Sequence, residues 1–187
     1  MPLYESDSDR FYELRALNYI NELEFDCGPF TFVQNPPRYF ADWSMVERGT
    51  SGNRPVRGLA EYKKRSVSSE ASFIKMDGVM IPADKLLAIW MMCSKVDIPL
   101  RYYVEFKDGL FMYEETNFVD FNCNELIIPS DKILKRRNDP NDQNLTMLID
   151  WDYFHKLIDI DELELYAPNE KNIGEDEQDG SKVRRTS

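Results

Sequence analysis

Three side chains in the first half of the chain could together hydrolyse a phosphodiester bond. Asp42 lies in one segment that is predicted to be a strand, and Glu61 and Lys63 lie in the next one. Successive side chains of a strand point to opposite faces, so Glu61 and Lys63 share a face and Tyr62 points away from it. If the two strands are neighbours, the carboxylates of Asp42 and Glu61 can meet, with Lys63 one pleat further along.

Paired carboxylates provide the hard oxygen ligands that suit Mg²⁺ or Mn²⁺. Such an ion would polarise a phosphodiester and lower the pKa of a bound water. A neighbouring Lys63 could orient that water or stabilise the charge that develops in the transition state. Glu13 could join the site only if its helix packs on the same face of the strands.

The elements that must position these residues follow from the local patterns. A helix is predicted over residues 10–24, with Asp9 as its N-cap. Its apolar residues recur at helical spacing, and they are Ala16, Leu17, Ile20 and Leu23. Strands are predicted over residues 39–47 and 56–65, joined by a turn rich in Gly, Ser and Asn.

Further elements are predicted along the rest of the chain. They are a flexible polar connection over residues 66–72, a helix over 83–95, a hairpin over 100–113, a strand over 145–149 and a closing helix over 151–158. Beyond about residue 161 the chain is acidic and poor in apolar residues. We therefore predict one domain over residues 1–160 and a mobile acidic tail over residues 161–187.

The charge of the chain is unevenly distributed. The net charge is −11, from 34 acidic and 23 basic residues, which argues against a protein that coats nucleic acid. Residues 43–75 differ, because they contain seven Lys or Arg and only three Glu. A partner that carries phosphate could bind to this basic stretch, and a solvated basic hairpin is an equally good interpretation.

Cysteine and histidine content excludes zinc chemistry. Three widely spaced Cys and one His do not provide the closely spaced ligands of zinc fingers and zinc hydrolases. An odd number of widely spaced Cys indicates reduced thiols, which are typical of an intracellular protein. The longest apolar run, residues 86–93, is too short to span a bilayer, and the first residues lack the pattern of an export signal.

The acid-x-Lys pattern is short, and a second copy occurs at Glu105, Phe106 and Lys107. In that copy Lys107 runs into a turn with Asp108, which takes it off the strand. The nearest upstream acids of the second copy do not lie on a preceding partner strand. We therefore favour the triplet at residues 61–63.

The order of helix, Asp-bearing strand, Glu-x-Lys strand, helix and strand resembles the PD-(D/E)XK nuclease superfamily, which includes restriction endonucleases and Holliday-junction resolvases. The similarity is greatest to small phage-type members, in which an ADW-like strand precedes an EYKKR-like strand. Here these motifs are residues 41–43 and 61–65. The resemblance covers roughly residues 9–155, and Ala41 stands where the family usually has Pro.

The resemblance implies a restriction-endonuclease-like α/β sandwich, with a central mixed sheet of four or five strands flanked by helices. It implies Mg²⁺ as cofactor, with Mn²⁺ as a substitute, and DNA as the substrate. No separate base-reading segment is evident, which favours a structure-selective nuclease, and such enzymes are often homodimers. If the chain is viral, its compartment would be the cytoplasm of the host cell.

The resemblance also implies roles for individual residues. Asp42 and Glu61 would bind the metal ion, assisted by Glu13 on the first helix. Lys63 would be the catalytic lysine. Three basic residues would contact DNA, and they are Lys64, Arg65 and Lys85.

Each role has a structural alternative. Asp42 and Glu61 could be solvent-facing carboxylates of a strand, and Lys63 could cover a strand edge. Glu13 and Lys85 could be ordinary exposed helix residues. The alternative function is a catalytically silent protein of the same fold that binds DNA or protein, which the overall acidity favours.

Overall fold

A computed structural model of the chain describes residues 7–36, 39, 41–49, 54–116, 125–127 and 146–168. The helices of these residues are α1 (Asp7–Cys27), α2 (Ser69–Met76), α3 (Ala83–Val96) and α4 (Ile160–Leu163), with 3₁₀ turns at Trp151–Tyr153 and Glu164–Tyr166. The strands are β1 (Phe30–Gln34), β2 (Trp43–Glu47), β3 (Val56–Lys64), β4 (Gly78–Pro82), β5 (Leu100–Phe106), β6 (Gly109–Glu115), β7 (Glu125–Ile127), β8 (Thr146–Asp150) and β9 (His155–Asp159). None of the described helices is both long enough and apolar enough to cross a membrane.

The main sheet has six strands in the order β1-β2-β3-β5-β6-β9. Its neighbouring strands are antiparallel, except for the parallel pair β3 and β5. A parallel pair needs a crossover connection, and the segment α2-β4-α3 provides it. Strands β4, β8 and β7 form a second, three-stranded sheet. The predicted mixed α/β sandwich is therefore confirmed, and its central sheet has six strands where four or five were expected.

Helix α1 packs on one face of the main sheet, because its apolar residues lie along one side. Ala16, Leu17 and Ile20 are buried in a cluster that includes Trp43 of β2. Leu23, predicted to extend the same stripe, is 38% exposed. The apolar contact of α1 with the sheet therefore ends one turn earlier than the spacing alone predicts.

Helix α3 packs on the opposite face of the main sheet, together with the second sheet. Leu86, Ile89 and Cys93 are buried and cluster with Ile81 of β4 and Ile149 of β8. The observed helix agrees closely with the one predicted over residues 83–95. Its first turn is thereby held against the strands that carry the acidic residues.

Helix α2 replaces the flexible connection that was predicted over residues 66–72. The hydroxyl oxygen of Ser68 caps the helix by accepting from the backbone N–H of Ala71 at 3.2 Å. Asp108, in the turn between β5 and β6, accepts from the backbone N–H of Ser69 at 2.8 Å and also from its hydroxyl. Ser69 and Asp108 are 39 positions apart in the chain, so the local pattern of Ser residues could not indicate the contact between them.

Asp108→Ala is expected to lower the free energy of unfolding by about 1 kcal/mol at neutral pH, because it removes an anion bound at the start of α2. Burial alone would raise the pKa of Asp108, but the hydrogen bonds from Ser69 hold it below its ordinary value. The contribution is therefore present above the ordinary pKa of the carboxyl and is lost as the pH falls through the lowered one.

Urea unfolding at several pH values measures this effect, and Asp161→Ala, which removes an exposed acid of α4, is the control. The difference between the wild type and Asp108→Ala should shrink in acid. A difference that stays constant with pH would contradict the assignment of Asp108 as a charged cap.

The closing helix predicted over residues 151–158 is wrong. Residues Trp151–Tyr153 form a single 3₁₀ turn, and β9 follows it and pairs with β6. Leu110 of β6 lies opposite Ile158, and Met112 lies opposite His155. Without β9, the backbone groups along the outer edge of β6 would have no strand partner, and pairing satisfies them.

The packed domain continues past residue 160, where the tail was predicted to begin. Leu163 is fully buried in the cluster that α1 forms with the main sheet. Glu164 forms an ion pair with Arg15 of α1. Residues Leu163 and Glu164 of the predicted tail therefore contact the packed domain, and residues 169–187 lie outside the described part of the chain.

Candidate active site

The structure brings Asp42 and Glu61 together at the end of the β2–β3 pair. Trp43 lies opposite Ala60 in the antiparallel register, so the next position along places Asp42 opposite Glu61. Asp42 itself precedes β2, whereas the predicted strand included it. The backbone N–H of Tyr62 donates to Oδ2 of Asp42 at 2.9 Å, which fixes this carboxylate beside β3.

Lys85 in the first turn of α3 contacts both carboxylates. Its Nζ lies 3.1 Å from Oδ1 of Asp42 and 2.5 Å from Oε1 of Glu61. Burial alone would lower the pKa of Lys85, but the two carboxylates outweigh burial and raise it. The sequence resemblance implied a contact between Lys85 and DNA, and the structure places its ammonium on the two acids.

Glu61 has the most buried side chain of the three residues Asp42, Glu61 and Lys85. It is buried, and its Oε2 has no hydrogen-bond partner within the described part of the protein. Burial raises the pKa of Glu61 well above its ordinary value, and repulsion from Asp42 raises it further, although Lys85 opposes both effects. A buried carboxylate beside another carboxylate is stabilised by additional positive charge, so this oxygen can accept a further cation.

Lys63 lies two positions after Glu61 on β3, and therefore on the same face of the sheet. Its side chain is partly exposed. Val104 of the neighbouring parallel strand lies opposite it in the register. The predicted sharing of one face by Glu61 and Lys63 thus agrees with the observed strand.

Glu13 is held by two donors that the sequence did not point to. Its Oε1 accepts from the indole N–H of Trp43 at 2.8 Å and from the amide of Gln34 at 3.1 Å. Trp43 belongs to the cluster on the α1 side, opposite the face that carries Glu61. The sequence could have indicated that Glu13 and Glu61 lie on opposite faces, because Asp42 and Trp43 are consecutive and consecutive side chains of a strand point to opposite faces.

The acidic pair fits a metal ion of the magnesium type. Within the described ranges there is no group of three or more His, Cys, Asp or Glu side chains that could hold a metal ion. Mg²⁺ keeps several waters and is commonly bound by one or two carboxylates together with substrate phosphates. Asp42 and Glu61 match that donor set, and the partnerless buried Oε2 of Glu61 provides an oxygen for it.

Several basic side chains of the first hairpin are engaged within the protein. Lys64 Nζ lies 2.8 Å from Oε1 of Glu105, whose other oxygen accepts from Tyr62 on the α1 side. Arg65 donates to the carbonyl of Met80. Lys64 lies on β3, as Glu61 does, but the structure places its ammonium on Glu105 and not on the acidic pair.

A family model described as "Phage putative PDDEXK endonuclease" matches residues 1–157 of the chain. The match includes Asp42, Glu61 and Lys63, and also the first turn of α3. Comparisons with curated proteins and with solved structures gave no match.

Proposed function

Because this chain belongs to the phage PD-(D/E)XK endonuclease family, we propose that it hydrolyses DNA phosphodiester bonds with a divalent metal ion held by Asp42 and Glu61. The family match confirms the similarity recognised in residues 41–43 and 61–65, and its description indicates a nuclease. The strongest structural support is the meeting of two carboxylates across neighbouring strands, with Lys63 on the same face.

Each side chain of the group has a distinct proposed task. Asp42 and Glu61 bind Mg²⁺ or Mn²⁺, which would supply Lewis acidity and a water of lowered pKa. Lys63 orients the attacking water or stabilises the charge that develops on the phosphate. The backbone N–H of Tyr62 holds Asp42 in the position that it needs for this role.

The outer residues contribute to positioning and to DNA contact. Glu13 supports the site through the indole of Trp43, which directly follows Asp42, and we treat it as a positioning residue. Arg65 and Lys85 are proposed phosphate contacts. Lys64 would have to leave its ion pair with Glu105 to reach DNA.

Cleavage by the purified protein, with Mg²⁺, Mn²⁺ or EDTA, tests the activity on four DNA substrates: linear duplex, branched junction, single strand and closed circle. We expect cleavage that EDTA abolishes. Cutting of the closed circle would identify an endonuclease, and a preference for the junction would support structure selectivity. Asp42→Asn should reduce the rate on the order of 10²-fold or more, because a metal ligand contributes several kcal/mol to the transition state.

Asp152→Asn, which removes an exposed carboxylate of a 3₁₀ turn, is the matched control and should leave the rate unchanged. Cleavage at the wild-type rate by Asp42→Asn would place the active site elsewhere. A rate that does not respond to EDTA would contradict the role of a divalent ion.

A catalytically silent DNA-binding protein is the second candidate, and the charge distribution favours it. The chain is acidic overall, with a net charge of −11. Part of its basic hairpin is neutralised within the protein, since Arg57 pairs with Glu47 at 2.7 Å and Lys64 pairs with Glu105. Retained DNA binding without cleavage in either metal would support this candidate.

The same proposal covers the setting in which the protein acts. A phage nuclease would meet DNA in the cytoplasm of the infected cell. Cys93 is a free, buried thiol, which is compatible with a reducing compartment. Two copies could cut two DNA strands together, and sedimentation equilibrium with and without DNA would test a homodimer.

A further inference from the structure

The ammonium group of Lys85 lies in the place where a cation would bind the acidic pair. It is within 3.1 Å of an oxygen of Asp42 and within 2.5 Å of an oxygen of Glu61. An ammonium group is a compact charge with three donors, so it can contact both carboxylates at once. Among the described residues, Lys85 is the cation that bridges them.

The charges of the group are not balanced by Lys85 alone. Two carboxylates face one ammonium, and the buried Oε2 of Glu61 has no partner in the described structure. A divalent cation would balance the two carboxylates. It would also repel the ammonium, because two positive charges at the same oxygens lie only a few ångströms apart.

Lys85 can leave the pair while its helix stays in place. Ala83 and Leu86, on either side of it, are buried in the core, which anchors the first turn of α3. The Lys85 side chain is itself 38% exposed, and its four-carbon stem is flexible. The ammonium therefore has a path to solvent that needs no movement of the backbone.

We propose that Lys85 is the built-in counterion of the metal-free protein, and that a divalent cation displaces its ammonium from Asp42 and Glu61 on binding. This inference rests on the proposed metal site at these two residues. Lys85 stabilises the acidic pair before the metal arrives and competes with it for the same oxygens. After displacement, the tethered ammonium remains at the rim of the site, where a DNA phosphate can bind it.

Titration calorimetry with Mn²⁺, in the absence of DNA, tests this competition on the full chain. Lys85→Met keeps the aliphatic stem and removes the charge, and Lys95→Met changes an exposed lysine of the same helix. We expect Lys85→Met to bind Mn²⁺ about tenfold more tightly than the wild type, because no ammonium has to be displaced. Lys95→Met should bind as the wild type does.

The possible results separate this inference from the proposed function. Equal or weaker binding by Lys85→Met, with clear binding by the wild type, would overturn the displacement of Lys85 and leave the metal site intact. If neither the wild type nor Lys85→Met binds Mn²⁺, the metal site fails and the inference fails with it.

A measurement on the unmodified protein keeps the inference testable if Lys85→Met does not fold. Acylation of lysines by an amine-directed reagent, read by peptide mass spectrometry, reports how accessible each ammonium is. Saturating Mn²⁺ should increase the acylation rate of Lys85 several-fold and leave that of Lys95 unchanged. An unchanged or slower reaction at Lys85 in a protein that binds Mn²⁺ by calorimetry would overturn the proposed displacement.

Discussion

Lys63→Ala is expected to reduce the rate of DNA cleavage by on the order of 10²–10⁴-fold, and to leave Mn²⁺ binding largely unchanged. Lys63 lies on the face of β3 that carries Glu61, and it is proposed to act on the water or the phosphate without binding the metal ion. A methyl group can neither orient a water nor stabilise charge on a phosphate. Single-turnover cleavage at saturating protein measures the chemical step directly.

Lys107→Ala is the matched control for Lys63→Ala, because Lys107 ends the second acid-x-Lys triplet of the chain. Lys107 is exposed and follows β5, and its acidic partner in the triplet, Glu105, is buried. We expect Lys107→Ala to cleave within about twofold of the wild-type rate, as is usual for exposed positions away from a site.

A folded Lys63→Ala protein that cuts at the wild-type rate would show that this lysine is not catalytic. An equal loss in Lys107→Ala would point to general attraction of DNA by positive charge. The rates should be measured at more than one salt concentration, because general attraction weakens with salt.

Arg15→Met is expected to destabilise the protein by about 3–5 kcal/mol, since it removes one partner of a buried ion pair. Arg15 of α1 is fully buried, and its guanidinium donates to Oε1 of Glu105 at 2.9 Å. The Tyr62 hydroxyl donates to the other oxygen of Glu105 at 2.8 Å. For a domain of this length such a loss lowers the midpoint of thermal unfolding by roughly 10 °C, which scanning calorimetry measures.

The double variant Arg15→Met, Glu105→Gln distinguishes the lost charge pair from lost packing. Arg15→Met leaves the buried carboxylate of Glu105 without one of its positive partners. Glu105→Gln keeps the shape of that side chain and removes its charge. We expect the double variant to recover a substantial part of the stability. A single variant that loses less than about 1 kcal/mol would contradict the importance of this pair.

The same network connects stability to the site. Tyr62 points to the α1 side and contacts Glu105, while its backbone N–H holds Asp42. Arg15→Met should therefore also weaken cleavage, but far less than Lys63→Ala does, because no group that contacts the substrate is removed. Activity measured well below the unfolding midpoint separates this effect from unfolding.

Elements whose amphipathic pattern is local could be predicted with little error. The helix predicted over residues 10–24 is α1 (Asp7–Cys27), and the one predicted over residues 83–95 is α3 (Ala83–Val96). The hairpin predicted over residues 100–113 is formed by β5 and β6. Helical spacing and a turn with Gly are properties of a few consecutive residues, so these elements could be recognised without knowledge of the fold.

Elements that depend on distant partners could not be predicted. Helix α2 begins at a Ser-rich run that Asp108 helps to cap from another turn. Residues 155–159 form a strand because β6 offers an unpaired edge. Leu163 is buried because α1 and the main sheet leave space for it, although the surrounding residues are acidic.

The amino-acid order was sufficient to predict that Asp42 and Glu61 meet and that Glu61 and Lys63 share a face of β3, because alternation along a strand is a local property and two antiparallel neighbours bring opposite positions together. Only the tertiary structure placed the ammonium of Lys85 between the two acids, because α3 must pack on the sheet before its first turn can reach them. The tertiary structure also placed Glu13 in contact with Trp43 and Gln34, on the α1 side of the main sheet. A contact between separate elements depends on how their apolar faces pack, and the spacing of residues along one segment carries no record of that packing.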